Sequence, residues 1–145
     1  MTLYTPRAEP ETSVLHDLGL TTASTQGLIH AVKEGLPIRT FTLLAALLGL
    51  SEAALAGVTG ISSSTLTRRK RSGQLTPAES EHVLRIARLF DLASQVFENA
   101  DSATDWLRSD NLSLGGRTPL EYADTEIGAH EVENLLGRIA HGVYS

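Results

Sequence analysis

The chain contains no cysteine, which excludes disulfides and cysteine-based zinc sites and fits a reducing compartment. Long apolar runs are also missing: the longest, Leu43 to Leu50, includes Gly49 and is far too short to span a bilayer. Met1 to Pro10 is polar and proline-broken and has none of the apolar core of a signal peptide. A soluble, cytoplasmic chain without a membrane partner is therefore expected. No segment alternates with period two for long enough to make a strand. Without strands there is no strand-to-helix glycine loop to cradle phosphates, and no strained elbow presents a nucleophile. His16, His30, His82, His130 and His141 are never three or four positions from one another, so no metal motif emerges. The acids of the second half scatter along amphipathic helices as solvated faces do. No enzyme activity, no cofactor and no metal is expected.

What is present is a packed core and an uneven charge. Hydrophobic residues make up 41% of 145, enough for one domain or two small ones. The formal net charge of −5 argues at first against nucleic acid, but its distribution reverses that impression. Residues 1–72 carry seven Lys/Arg against five Asp/Glu, whereas residues 73–145 carry five against twelve. Between Glu52 and Glu79 there is no acid at all, while Arg68, Arg69, Lys70 and Arg71 stand together. One half is suited to phosphates and the other to something else. For the basic run alone, a solvated helix end is the plain alternative.

Glycine and proline punctuate a chain that otherwise reads as helical. Residues 1–12 read as a loose arm, and two short helices follow, around Val14, Leu15 and Leu18 and around Leu28, Ile29 and Val32. Thr40 to Leu48 is predicted as a helix with Phe41, Leu44, Ala45 and Leu48 on one face, ended by Gly49. Ser51 caps the next, which runs to Ala56. Thr76-Pro77-Ala78-Glu79 and Thr118-Pro119-Leu120-Glu121 each combine an N-cap, a first-turn proline and a capping-box glutamate. The first opens a long helix carrying Val83, Ile86, Ala87, Phe90, Ala93 and Phe97. Asp101 to Arg108 is a further helix, Asn111 to Arg117 a loop, and the last helix carries Val132, Leu135, Leu136 and Ile139 with Gly142 as its stop.

The stretch from Ala56 to Arg71 has the pattern of a helix-turn-helix. Ala56 is small enough for two helices to cross closely, and Gly60 accepts the positive φ of a sharp turn. Ile61 and Leu66 face the core, and Ser62 or Ser63 caps the second helix. That leaves Ser63, Ser64, Thr67 and Arg68 outward as candidates for base edges, with Arg69, Lys70 and Arg71 at the phosphates. A degenerate motif kept as a dimerisation scaffold is the alternative.

Residues 38–72 resemble the Xre/Cro-type helix-turn-helix, through Ala56, Gly60, Ile61, Ser62 and the run Ser64-Thr65-Leu66-Thr67-Arg68. Three further stretches are similar to the toxin-binding domain of Xre/MbcA/ParS antitoxins: Trp106-Leu107, Leu114-Gly115-Gly116-Arg117-Thr118-Pro119-Leu120, and the ending from Leu135 to Ser145. The resemblance implies an all-α fold, an N-terminal Xre-like helix-turn-helix bundle followed by a small helical toxin-binding domain. The expected division is an arm with short helices at 1–35, a DNA-binding domain at 36–75 and a toxin-binding domain at 76–145. It further implies an antitoxin that neutralises a RES-domain toxin, one that consumes NAD or uses it for ADP-ribosylation. The same chain, as a homodimer on double-stranded operator DNA, would repress its own operon.

Leu112, Leu114, Arg138, His141, Gly142, Val143, Tyr144 and Ser145 are the expected toxin contacts. Leu112 and Leu114 are expected as exposed anchors, and Trp106 as core. Gly142 would free a short tail whose phenol and carboxylate suit a pocket made for a planar ring and anionic phosphates, with Arg138 and His141 framing it. A tail folded onto its own helix is the bland alternative. At the level of function, the competing readings are a stand-alone dimeric helix-turn-helix regulator with no toxin partner and a small-molecule-sensing regulator.

Overall fold

A computed structural model describes residues 14–20 and 24–142. Among the described residues there are helices and loops and no strand. In order these are α1 (Val14–Asp17), α2 (Thr25–Glu34), α3 (Ile38–Leu48), α4 (Glu52–Thr59), α5 (Ser63–Ser72), α6 (Pro77–Phe97), α7 (Ala100–Arg108), α8 (Pro119–Tyr122) and α9 (Glu126–Ala140). A single 3-10 turn, Leu112–Leu114, lies between α7 and α8. The all-α expectation holds.

Most boundaries follow from local chemistry. Both predicted capping boxes form, at Thr76 with Glu79 and at Thr118 with Glu121. Where boundaries moved, a tertiary contact moved them. α3 begins at Ile38 rather than Thr40 because the Gly73 carbonyl accepts the Ile38 N–H at 2.9 Å. α4 continues past Ala56 to Thr59, whose buried hydroxyl donates to the Leu55 carbonyl at 2.8 Å. The segment expected as a loop at 111–117 holds the 3-10 turn, because the Asn111 side chain accepts from the Ser113 N–H.

The core is one cluster reaching from Val14 to Leu136, with Phe41, Phe90, Leu44, Leu48, Leu55, Ile86, Leu107, Val132 and Leu136 all fully enclosed. At its centre is α6, 21 residues long, which packs against α1, α2, α3, α4, α7 and α9. Its buried face is Val83, Ile86, Ala87, Leu89, Phe90 and Ala93, near the set the periodicity predicted. Burying one such Phe or Leu is worth roughly 1.5–3 kcal/mol, so a helix that does this repeatedly holds its neighbours in place. Ser80, the buried polar group on α6, accepts the Leu36 N–H at 2.8 Å and fixes the entry to α3. Among the described residues no single helix is long and apolar enough to cross a membrane.

Candidate nucleic-acid interface and partner surface

The turn between α4 and α5 is built as its residues require. Gly60 sits at φ 71°, a left-handed conformation that closes α4, and the Ile61 N–H then bonds back to the Ala56 carbonyl at 2.8 Å. Ile61 is buried and plugs the turn, with Ala56 buried beside the crossing. Ser62, rather than Ser63, is the N-cap of α5; its hydroxyl accepts the Thr65 N–H at 3.2 Å. Leu66 is the buried residue of α5. Because Leu66 faces inward, Ser63, Ser64, Thr67 and Arg68 face solvent, and all four are exposed.

The four cations do not share one fate. Arg68 is exposed, and its Nη2 donates to the Thr65 hydroxyl at 3.0 Å. Arg71 is exposed and makes no ion pair among the described residues. Lys70 pairs with Glu52 at the start of α4, but the pair is half-exposed and of the kind worth about 0–1 kcal/mol. Arg69 is different. Its Nε donates to Glu79 Oε1 at 2.7 Å and its Nη2 to Oε2 at 3.1 Å, a two-pronged pair onto α6. The side chains of this pair retain only 21% and 16% of their exposure.

Glu79 serves two structures at once, since Oε1 also accepts the Thr76 N–H in the capping box at 2.9 Å. Burial pushes its carboxyl up, but the bonds from Arg69 and Thr76 outweigh that and hold it below the usual carboxylate range. One turn along α6, His82 is held below the ordinary histidine value by burial and then by Arg85, against the pull of Asp124, Glu126 and the Thr59 backbone. An open cleft of about 370 Å³ lies between Gly60, Ser62 and Thr65 on one side and Ala78, Glu79 and His82 on the other. Arg85 continues the row. Its Nε donates to Glu126 at 2.9 Å and its Nη1 to the Asp124 carbonyl at 3.2 Å, joining α6 to the α8–α9 corner.

In the second half the expected contacts separate. Leu112 is 95% exposed, on a turn held by the Asn111 carbonyl accepting from Leu114 and Gly116. Leu114 is not exposed: it is 5% accessible and belongs to the core, because two residues along a 3-10 turn point about 120° apart, so one can face water while the other faces inward. Arg138, His141 and Gly142 are exposed together at the end of α9. Val143, Tyr144 and Ser145 lie outside the described residues, as do residues 1–12 of the expected arm. Trp106 is half-buried, with its ring 5.8 Å from that of Phe97.

Exposed Ile127 and the ion-pair roles of Glu79 and Glu52 were not visible in the sequence. Ile127 is 81% exposed at the start of α9, and its position just off the Val132, Leu136 and Ile139 stripe was the available signal. Glu79 and Glu52 carried no signal beyond their places in first turns, since their partners lie across turns. Among the described residues no cluster of three or more His, Cys, Asp or Glu could hold a metal.

Two families match. Residues 27–88 match the antitoxin Xre-like helix-turn-helix domain, and residues 92–142 match the antitoxin Xre/MbcA/ParS C-terminal toxin-binding domain. The first match ends and the second begins inside α6. Over 148 aligned residues, covering all of both chains, the sequence is 33% identical to the protein named Antitoxin Xre of Yersinia enterocolitica. It is 30% identical, again over the full length of both, to the Antitoxin Xre of Photorhabdus laumondii. A relative of the same name from Pseudomonas putida is 34% identical over 76 residues, which is 52% of this chain and 48% of that one.

Proposed function

The chain belongs to the Xre antitoxin family, and from that premise we propose that it binds and inhibits a cognate RES-domain toxin and, as a homodimer, represses its own operon. The observation that carries the DNA half is the outward face of α5: Ser63, Ser64, Thr67 and Arg68 exposed on a helix whose apolar anchor, Leu66, points the other way. Arg68 is suited to a guanine edge, the hydroxyls to bases or phosphates, and Arg71 with Lys70 to phosphates. The functional division is DNA contact within 36–75 and toxin contact within 76–145, both acting in the cytoplasm.

The toxin half rests on Leu112, an apolar side chain almost wholly in water on a turn already fixed by hydrogen bonds. On a backbone already fixed, an apolar knob loses little beyond its own rotamer freedom when a partner covers it. Arg138, His141 and Gly142 form a second contact at the end of α9, continued by Val143, Tyr144 and Ser145, whose phenol would enter the NAD-binding pocket of the toxin.

The test is to purify the tagged protein from its native host and identify what accompanies it. A stoichiometric RES-domain protein supports the proposal, and a variant lacking 143–145 should then lose inhibition while still shifting operator DNA. DNA binding with no partner protein leaves a stand-alone regulator and refutes the toxin half.

A further inference from the structure

The reading helix is lightly held. Of the ten residues of α5, Leu66 is the buried one, and an open cleft of about 370 Å³ lies between the preceding turn and α6. At its far end the chain is fastened by backbone, where the Leu36 carbonyl accepts from Leu75 at 2.9 Å and the Gly73 carbonyl from Ile38. Between these anchors, two ion pairs tie α5 to its neighbours, Lys70 to Glu52 on α4 and Arg69 to Glu79 on α6. The Lys70–Glu52 pair is half-exposed and easily exchanged for water or for a phosphate. The Arg69–Glu79 pair is neither: it is two-pronged, largely covered, and its carboxylate is also fixed by the Thr76 N–H of the capping box.

From this geometry we infer that Arg69 is a positioning residue, with Glu79 its fixed support on α6, and that the phosphates are left to Lys70 and Arg71. The inference deepens the DNA-binding reading and rests on it. A guanidinium that binds phosphate displaces a counterion and leaves its mark on salt dependence whatever the DNA sequence. One that orients a helix acts differently. It decides whether Ser63, Ser64, Thr67 and Arg68 meet their base edges, so it affects the right sequence more than the wrong one. Glu79 has a sign of its own. A carboxylate near a DNA-facing helix should ordinarily repel phosphate, so removing its charge should tighten binding. If Glu79 is the support of the reading helix, removing its charge weakens specific binding instead.

The probes are a duplex carrying the sequence directly upstream of the chain's own reading frame and a scrambled duplex of the same composition, each titrated across a salt series. The variants are Arg69→Gln, Glu79→Gln, both together, and Arg71→Gln for comparison. Glutamine at 79 can still complete the capping box, so α6 keeps its start. For Arg71→Gln we expect weaker binding to both duplexes and a salt slope smaller by about 0.9. For Arg69→Gln we expect an unchanged slope and a loss of about tenfold confined to the upstream duplex, the scale of one charge-assisted pair. Glu79→Gln should match it, and the double variant should be no worse than either single one.

A reduced slope in Arg69→Gln, or tighter binding in Glu79→Gln, overturns the inference. A second readout needs no DNA: amide exchange from Leu66 to Arg71 in the free chain should quicken in Arg69→Gln and Glu79→Gln but not in Glu81→Gln. Unchanged exchange in the first two also overturns it. Wild-type protein that treats both duplexes alike would instead sink the DNA-binding reading, while the exchange result would still report on the tie.

Discussion

On α5 the outward groups are hydroxyls and cations, whereas among the described residues beyond Ala100 the large apolar side chains most open to water are Leu112 and Ile127, set in a half rich in acids. The two regions prepare for different solvents. A phosphate backbone stays hydrated, so a surface that meets it can remain wet and gain its affinity from released counterions. A protein partner must displace water, and for that an exposed leucine is worth more than a charge. Rigidity is distributed differently as well. α5 is steered by ion pairs, while the Leu112 turn is held by backbone and Asn111 hydrogen bonds.

The comparison can be broken most forcefully at Gly128. A side chain there would overlap the Tyr122 carbonyl oxygen across the α8–α9 corner. Gly128→Ala should cost roughly 3–5 kcal/mol in urea unfolding, and a wild-type midpoint would mean that the corner is not tightly packed. Arg68→Ala is expected to weaken binding to the upstream duplex by roughly 1–3 kcal/mol and leave toxin binding alone, and an unchanged low-salt gel shift would remove Arg68 from the interface. Leu112→Asp makes the mirror-image prediction: toxin affinity falls by about 1.5–2 kcal/mol while melting and DNA binding are unchanged, as 95% exposure requires. Equal toxin affinity would discard the knob.

Gly57 offers a small gain in the DNA-reading half. It lies inside α4 with open space around it, so Gly57→Ala should add about 0.5–1 kcal/mol of stability to the free chain. The smallest effect concerns His82. Its folded pKa lies below its unfolded one, so the unfolded chain takes up the proton first. Stability is therefore complete above about pH 6.5 and declines as pH falls through that value toward the folded pKa. His82→Gln should flatten this part of the melting profile and leave the acid limb. Glu79 and Glu121 contribute to that limb: their folded pKa values lie below the unfolded ones, so their contributions are complete above the ordinary carboxylate pKa of about 4.3 and are lost as pH falls through it toward the folded values.

How much of this was legible in the sequence depended on distance along the chain. Caps at Ser51, Thr76 and Thr118 and stops at Gly49 and Gly60 involve neighbours within a turn, and all could be read; the cap of α5 could be narrowed to Ser62 or Ser63. So could the outward set on α5, because Leu66 fixes the phase of a helix. The Arg69–Glu79 pair could not: a run of four cations in a row carries no mark of which one turns inward. Nor could Leu112 be told from Leu114, two identical residues two positions apart, until the 3-10 turn sent one to water and the other to the core.

The position of α6 has a consequence for recombination among relatives. The helix-turn-helix match stops at 88 and the toxin-binding match starts at 92, both within one uninterrupted helix of 21 residues. Exchanging partner specificity between two such chains therefore requires a seam in mid-helix rather than in a linker. One residue gained or lost at that seam would turn everything beyond it by about 100° about the helix axis. Viable hybrids should conserve the residue count between the Thr76 cap and Phe97 while being free to vary almost everything on the outer face.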